Sequence, residues 1–128
     1  KRLMVLDREP MDQLSERLSR KKSAPIVIID SFQYSGLSYQ AYCEMKERHS
    51  NKLLIFISHA EGMKPEGRPA KKVEYDADVK IFVSCFKAMC KSRFLDHPGE
   101  PITVWEEGAA KALLDEGQKS DEAQEPPL

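Results

Sequence analysis

A chain of 128 residues, 41% hydrophobic and 32% charged, can bury one core of ordinary size, and its 20 Lys and Arg against 21 Asp and Glu leave a formal net charge of −1. That balance excludes a chain-wide field of the kind that draws a protein onto nucleic acid or an acidic ligand, so any charge-based function is local. No run approaches the ~18 apolar residues of a membrane span, no secretory leader opens the chain, and three cysteines without a C-x-x-C pair (Cys43, Cys85, Cys90) read as reduced core residues, which favours the cytoplasm.

In chain order, "RLMVLD" (Arg2 to Asp7) reads as a short strand, and because the chain opens inside it the sequence reads as an excerpt from a longer protein. Pro10 suits the first turn of a helix with Met11, Leu14 and Leu18 on one face, closed by Arg20, Lys21 and Lys22 at its negative end. "PIVIID" (Pro25 to Asp30) has no polar alternation and predicts a strand covered on both faces, as in a parallel sheet. Ser38 predicts the cap of a helix from Tyr39 to about His49, with Tyr42, Met45 and Cys43 facing inward, and "KLLIFIS" (Lys52 to Ser58) predicts a second buried strand. Strand, helix, strand, helix, strand implies crossovers within a layered α/β sheet.

The stretch from His59 to Asp78 holds Gly and Pro and no apolar periodicity, so it predicts a long loop, functional or mobile. "VKIFVSC", "FKAMCKSRF" and "PITVWEEG" then predict three strands joined by short turns, hence antiparallel. The acidic, proline-tailed end, residues 115–128, predicts disorder and leaves residues 1–114 as the folded domain.

Two strand tips carry the chemistry. Asp30 and Ser31 end one predicted parallel strand, and Ser58 and His59 end the other; ligands of open parallel sheets bind at such carboxyl ends. A carboxylate after a buried apolar run needs hydrogen bonds or a cation, and a hydrated magnesium ion meets that need.

The succession "VIIDSFQ", "LLIFISHAEG", "KKVEYDADVKIF" and "KAMCKSRF" resembles, in order and approximate spacing, the second half of a RecA-like ATPase core, with the RadA/Sms repair ATPases and DnaB-type hexameric helicases as the nearest likenesses. The resemblance covers roughly Leu3 to Phe94 and implies a RecA-like layered sheet with antiparallel C-terminal strands, with ATP and Mg2+ as cofactors. It also implies that Asp30 holds the water shell of the metal, with Ser31 and Gln33 close to the nucleotide, and that Ser58 and His59 sense the γ-phosphate. Lys91 and Arg93 would reach a neighbouring subunit's nucleotide in a homo-oligomer of the parent. The locally basic segment 61–72, with Lys64, Arg68, Lys71 and Lys72, corresponds to a DNA-facing loop, which would make single-stranded DNA a partner.

Two parts of that machinery are missing from these 128 residues. The nearest approach to a phosphate cradle of the form G-x-x-x-x-G-K-S/T is "GMKPEGRP", where Gly62 and Gly67 have the spacing but Arg68 and Pro69 replace the lysine and the hydroxyl. The catalytic carboxylate is absent too, since Glu9 follows the wrong strand. The chain by itself is therefore expected not to hydrolyse ATP. Other readings of the same residues are a degenerate α/β interaction module, a phospho-acceptor of the receiver type on Asp30 with Asp7 and Glu9, and a serine hydrolase on Ser31 and His59. The receiver conflicts with three closely spaced strands after Val79, and the hydrolase lacks a glycine-flanked nucleophile turn.

Overall fold

Pro10, with φ −58°, sets the entry to the first helix, α1 (Met11–Leu18), whose Leu14 and Leu18 are buried. After the turn comes strand β1 (Ile26–Asp30), then a one-turn helix α2 (Phe32–Ser35) and helix α3 (Tyr39–Arg48). Ser38 caps α3 as its position predicts: its Oγ accepts from the Ala41 N–H at 3.1 Å, and Tyr42 and Met45 turn inward. Strand β2 (Leu53–Ile57) follows and pairs with β1 in parallel, Ile26 opposite Leu53 and Asp30 opposite Ile57. A small hairpin, β3 (Ala60–Glu61) with β4 (Lys64–Pro65), and helix α4 (Arg68–Asp76) complete this part. This computed structural model describes residues 2–122, which divide into two compact units between Asp76 and Ala77.

The core of the first unit lies on one side of the β1–β2 ladder. Val27 and Ile29 on β1, with the half-buried Leu54 and Phe56 on β2, meet Leu14, Leu18, Phe32, Tyr42, Met45, Ala70 and Val73 from the helices. Phe56 stands edge-on to both Phe32 and Tyr42, with ring centroids 5.9 and 5.4 Å apart. Tyr42 also donates its hydroxyl to Asp76 Oδ2 at 2.9 Å, and Lys46 pairs with the same carboxylate, so α4 is tied along α3. Burial and that hydrogen bond push the Tyr42 phenol well above its usual range.

The second unit holds β5 (Val79–Ser84), β6 (Lys87–Ser92) and β7 (Ile102–Thr103) in one antiparallel sheet, and helix α5 (Glu106–Glu122). Cys85 and Phe86 form the two-residue β5–β6 turn, both at positive φ (49° and 59°), the geometry a tight hairpin demands and that non-glycine residues adopt only at a cost. Phe86 packs edge-on to Trp105, ring centroids 4.9 Å apart, and Gly108 lies against both rings, where a Cβ would collide with them.

Mixed α/β structure and antiparallel C-terminal strands are as the sequence predicts, but several expectations need correction. The ladder has two parallel strands, separate from the antiparallel sheet, instead of one layered sheet among the described residues. "RLMVLD" forms no strand: no neighbour takes its backbone hydrogen bonds, and Leu3 and Val5 are more than 80% exposed. Among the described residues β1 and β2 are covered on one face, leaving Ile26, Ile28, Leu53, Ile55 and Ile57 38–61% exposed on the other. The predicted long loop is a hairpin and a helix, because Pro69 suits a first turn and the spacing of Ala70 and Val73 puts both on the core. "PITVWEEG" pairs only at Ile102 and Thr103; Glu106 and Glu107 favour a helix start, and the Ala-, Lys- and Leu-bearing run after them continues as α5 through residues 115–122, where disorder was expected. Residues 123–128 lie outside the described residues. Cys85 is exposed at the turn instead of in a core, and Cys43 and Cys90 are half-buried.

Candidate functional site at the carboxyl end of the parallel ladder

Because β1 and β2 run in parallel and in register, their last residues arrive at one end of the ladder. Asp30 ends β1 with the alternation of Ile26 and Ile28, so its carboxylate belongs to the uncovered face and is exposed. This answers the expectation of a costly buried carboxylate: the acid meets solvent. It forms no hydrogen bond or ion pair that is described among residues 2–122. Ser31 is the opposite case. It is 3% exposed, and its Oγ has no hydrogen-bond partner among the described residues, an omission of the kind that costs about 1–3 kcal/mol.

Gln33, on the single turn of α2, holds the two strand tips together. Its Nε2 donates to Ser58 Oγ at 2.7 Å and to the Glu66 carbonyl at 2.9 Å, while its Oε1 accepts from the His59 N–H at 3.1 Å. One amide thus uses both donors and its acceptor on three residues from two connecting segments, the one after β2 and the one after β4. Ser58 Oγ in turn donates to the His59 carbonyl at 2.9 Å, and the Glu66 N–H donates to that same carbonyl, also at 2.9 Å. The end of β2 is therefore locked to the β3–β4 hairpin. The His59 ring is half exposed, with Nδ1 3.6 Å from Glu66 Oε2 and an edge-on contact to Tyr34 at 5.7 Å.

Of the residues singled out in the sequence, Asp30, Ser31, Gln33, Ser58 and His59 share this end of the ladder. Glu66 and Tyr34 join them; the sequence pattern assigns neither to this site, and only the hairpin and the α2 turn bring them in. Gln33, expected beside a nucleotide, spends its amide on the protein. Lys64 sits on β4 and lies 3.4 Å from Glu74. Arg68, Lys71 and Lys72 lie on α4, not on a flexible loop, with Lys72 Nζ 5.6 Å from the centroid of the Tyr39 ring. Lys91 stands on β6 directly opposite Lys80, and Arg93 just beyond β6 pairs with Asp78 at 2.9 Å. Both belong to the second unit.

The hard oxygen open to an ion at the ladder end is the exposed Asp30 carboxylate; the Ser31 Oγ, without a partner among the described residues, is buried behind it. Among the described residues no cluster of three or more His, Cys, Asp or Glu side chains could cage an ion. A single exposed carboxylate is compatible with a magnesium ion that keeps most of its water. It does not supply a phosphate cradle. Gly62, at φ 61°, is the turn of the β3–β4 hairpin, and Arg68 opens α4 with Pro69 behind it, so "GMKPEGRP" folds as a hairpin and a helix start. No protein-family model, no curated protein and no solved structure matches this chain.

Proposed function

We propose that this chain supplies the metal-side part of a RecA-like nucleotide-binding core, of the kind used in DNA repair, recombination or unwinding, and that the phosphate cradle comes from outside these 128 residues. The observation that carries the reading is the in-register parallel pairing of β1 and β2 with their tips joined through Gln33. Asp30 would hold the water shell of magnesium, with Ser31 close by, its buried hydroxyl without a partner among the described residues. Bound magnesium supplies charge neutralisation at phosphate oxygens. Ser58 and His59 respond to events at that end through the Gln33 clamp, and the His59 carbonyl and Glu66 pass a displacement to the hairpin and α4, whose Lys64, Arg68, Lys71 and Lys72 would meet single-stranded DNA by its phosphates. Lys91 and Arg93 would face a nucleotide held by a second subunit of an oligomeric parent.

The test is paramagnetic NMR with Mn2+ and ATP. Substoichiometric metal should broaden the amide signals of residues 30–33 and 58–59, and Asp30→Asn should abolish that broadening. Equal broadening in the variant, or broadening only along the acidic helix α5, overturns the metal role.

The bare face of the ladder favours a second reading, an interaction module without nucleotide chemistry. Each of its five aliphatic side chains would gain up to about 1.5–3 kcal/mol on full burial. On this reading Mn2+ leaves Asp30 untouched, while Ile28→Glu and Ile55→Glu abolish whatever association sedimentation detects.

A further inference from the structure

The opposite, amino end of the β1–β2 ladder carries a cavity of about 390 Å3 between the end of α1, the end of α3 and the residues that lead into both strands. Arg20, Lys21, Arg48 and Lys52 line it, with His49 and Ser23, and no carboxylate is among its lining residues. The site is organised from within. His49 is 2% exposed and its Nε2 lies 2.8 Å from Ser15 Oγ, joining α3 to α1. Ser23 Oγ donates to the Leu18 carbonyl at 2.7 Å, and Lys52 Nζ donates to Ser23 Oγ at 2.7 Å and to the Ala24 carbonyl at 2.8 Å, which fixes one ammonium at the mouth.

Cations at helix ends have an ordinary explanation, and magnitudes decide whether it suffices. Two helix C-termini present roughly half a negative charge each. Glu16 neutralises Arg48, the two meeting at 2.9 Å. Four cations against one carboxylate and about one unit of helix-end charge leave about two positive charges at the cavity. Burial first, and Arg48 and Lys52 after it, hold the His49 ring below its usual pKa, so it adds no further charge at neutral pH. No Phe, Tyr or Trp lines the cavity, and its one ring, His49, is buried and held against Ser15, so it offers no open face for a base to stack on.

We propose that this cavity binds a phosphate monoester dianion. Its charge, about −1.5 to −2 at neutral pH, matches the surplus, whereas a backbone diester carries about one. The volume falls within the usual range for small-ligand sites, about 300–1,000 Å3. The inference is independent of the nucleotide reading, because the two ends of the ladder lie roughly 15 Å apart along five-residue strands.

The experiment is a titration of the full chain with inorganic phosphate at constant ionic strength, followed by amide chemical shifts. Saturable shifts should appear at residues 18–23 and 48–52, and the amides of Ser58 and His59 should stay in place. Lys52→Gln should weaken binding at least tenfold. Because Lys52 also tethers Ser23, Lys21→Gln serves as the second variant, since its side chain is exposed and its loss leaves the packing intact; it should weaken binding several-fold. Oligothymidylate with and without a 5′-phosphate separates the sources: tighter binding of the phosphorylated form supports the monoester. Equal binding of both forms overturns it in favour of backbone contacts, and shifts that never saturate, or that sulfate and chloride reproduce, overturn the site altogether.

Discussion

The β1–β2 ladder and the β5–β6 hairpin are built from similar residues, "IVIID" and "LLIFI" in one, "VKIFVS" and "KAMCKS" in the other, yet they reach different ends. In the first unit three helices with apolar residues three and four apart lie on one face of the ladder and bury Val27 and Ile29 to under 10% exposure. In the second unit the only buried residues among those described are Gly108 and Ala109, and Val79, Ile81 and Val83 stay about half exposed or more. The difference teaches that apolar strands do not make a core by themselves. They need a matching helix face, and α5 leaves its Leu113 and Leu114 in solvent.

The largest effect that would break this comparison is at the core. Phe32→Ala should cost the first unit about 3–5 kcal/mol by leaving a cavity against Phe56, whereas Ile81→Ala should stay within about 0.5 kcal/mol; chemical denaturation of both variants measures the contrast. Equal losses would mean that the second unit is packed as the first is. Next comes the close packing of Phe86, Trp105 and Gly108 in the second unit. Gly108→Ala places a Cβ on Trp105 and Phe86 and should cost about 1–3 kcal/mol, read through the fluorescence of Trp105, the chain's single tryptophan. Ser38→Ala removes the α3 cap and should cost about 1 kcal/mol, visible as faster hydrogen exchange at Ala41.

The smallest effect at neutral pH belongs to His49. Its folded-state pKa lies below the unfolded value of about 6.5, so the folded unit favours the neutral ring. The contribution is fully present above about pH 6.5 and is lost as pH falls below it. Thermal unfolding of the native chain should drop between pH 7.5 and 5 by more than that of His49→Gln; parallel curves would remove His49 as the acid-sensitive group.

Much of the first unit was legible because its signals are local. Pro10 with Met11, Leu14 and Leu18 marks α1, Ser38 marks the start of α3, and two unbroken aliphatic runs mark β1 and β2. The helix α4 was missed because its buried positions are Ala70 and Val73 among mostly charged neighbours, a stripe too narrow to stand out until Tyr42 and Asp76 lock it beside α3. The strand expected at "RLMVLD" failed for the complementary reason: an apolar segment becomes a strand only when a neighbour accepts its backbone. At the candidate site the types of Asp30, Ser31, Ser58 and His59 could be read from the strand ends, but the engagement of Gln33 with Glu66 could not, since it spans 33 residues of sequence.

What the sequence determined by itself is therefore the identity of the local elements and the polar residues at their tips, because capping, helical spacing and strand propensity act within a few residues. Only the tertiary structure decided which face of the ladder is covered, where the Gln33 amide spends its hydrogen bonds, and that Arg20, Lys21, Arg48 and Lys52 gather around one cavity. Those outcomes depend on segments about 25 to 35 residues apart meeting in space, and no local periodicity encodes such a meeting.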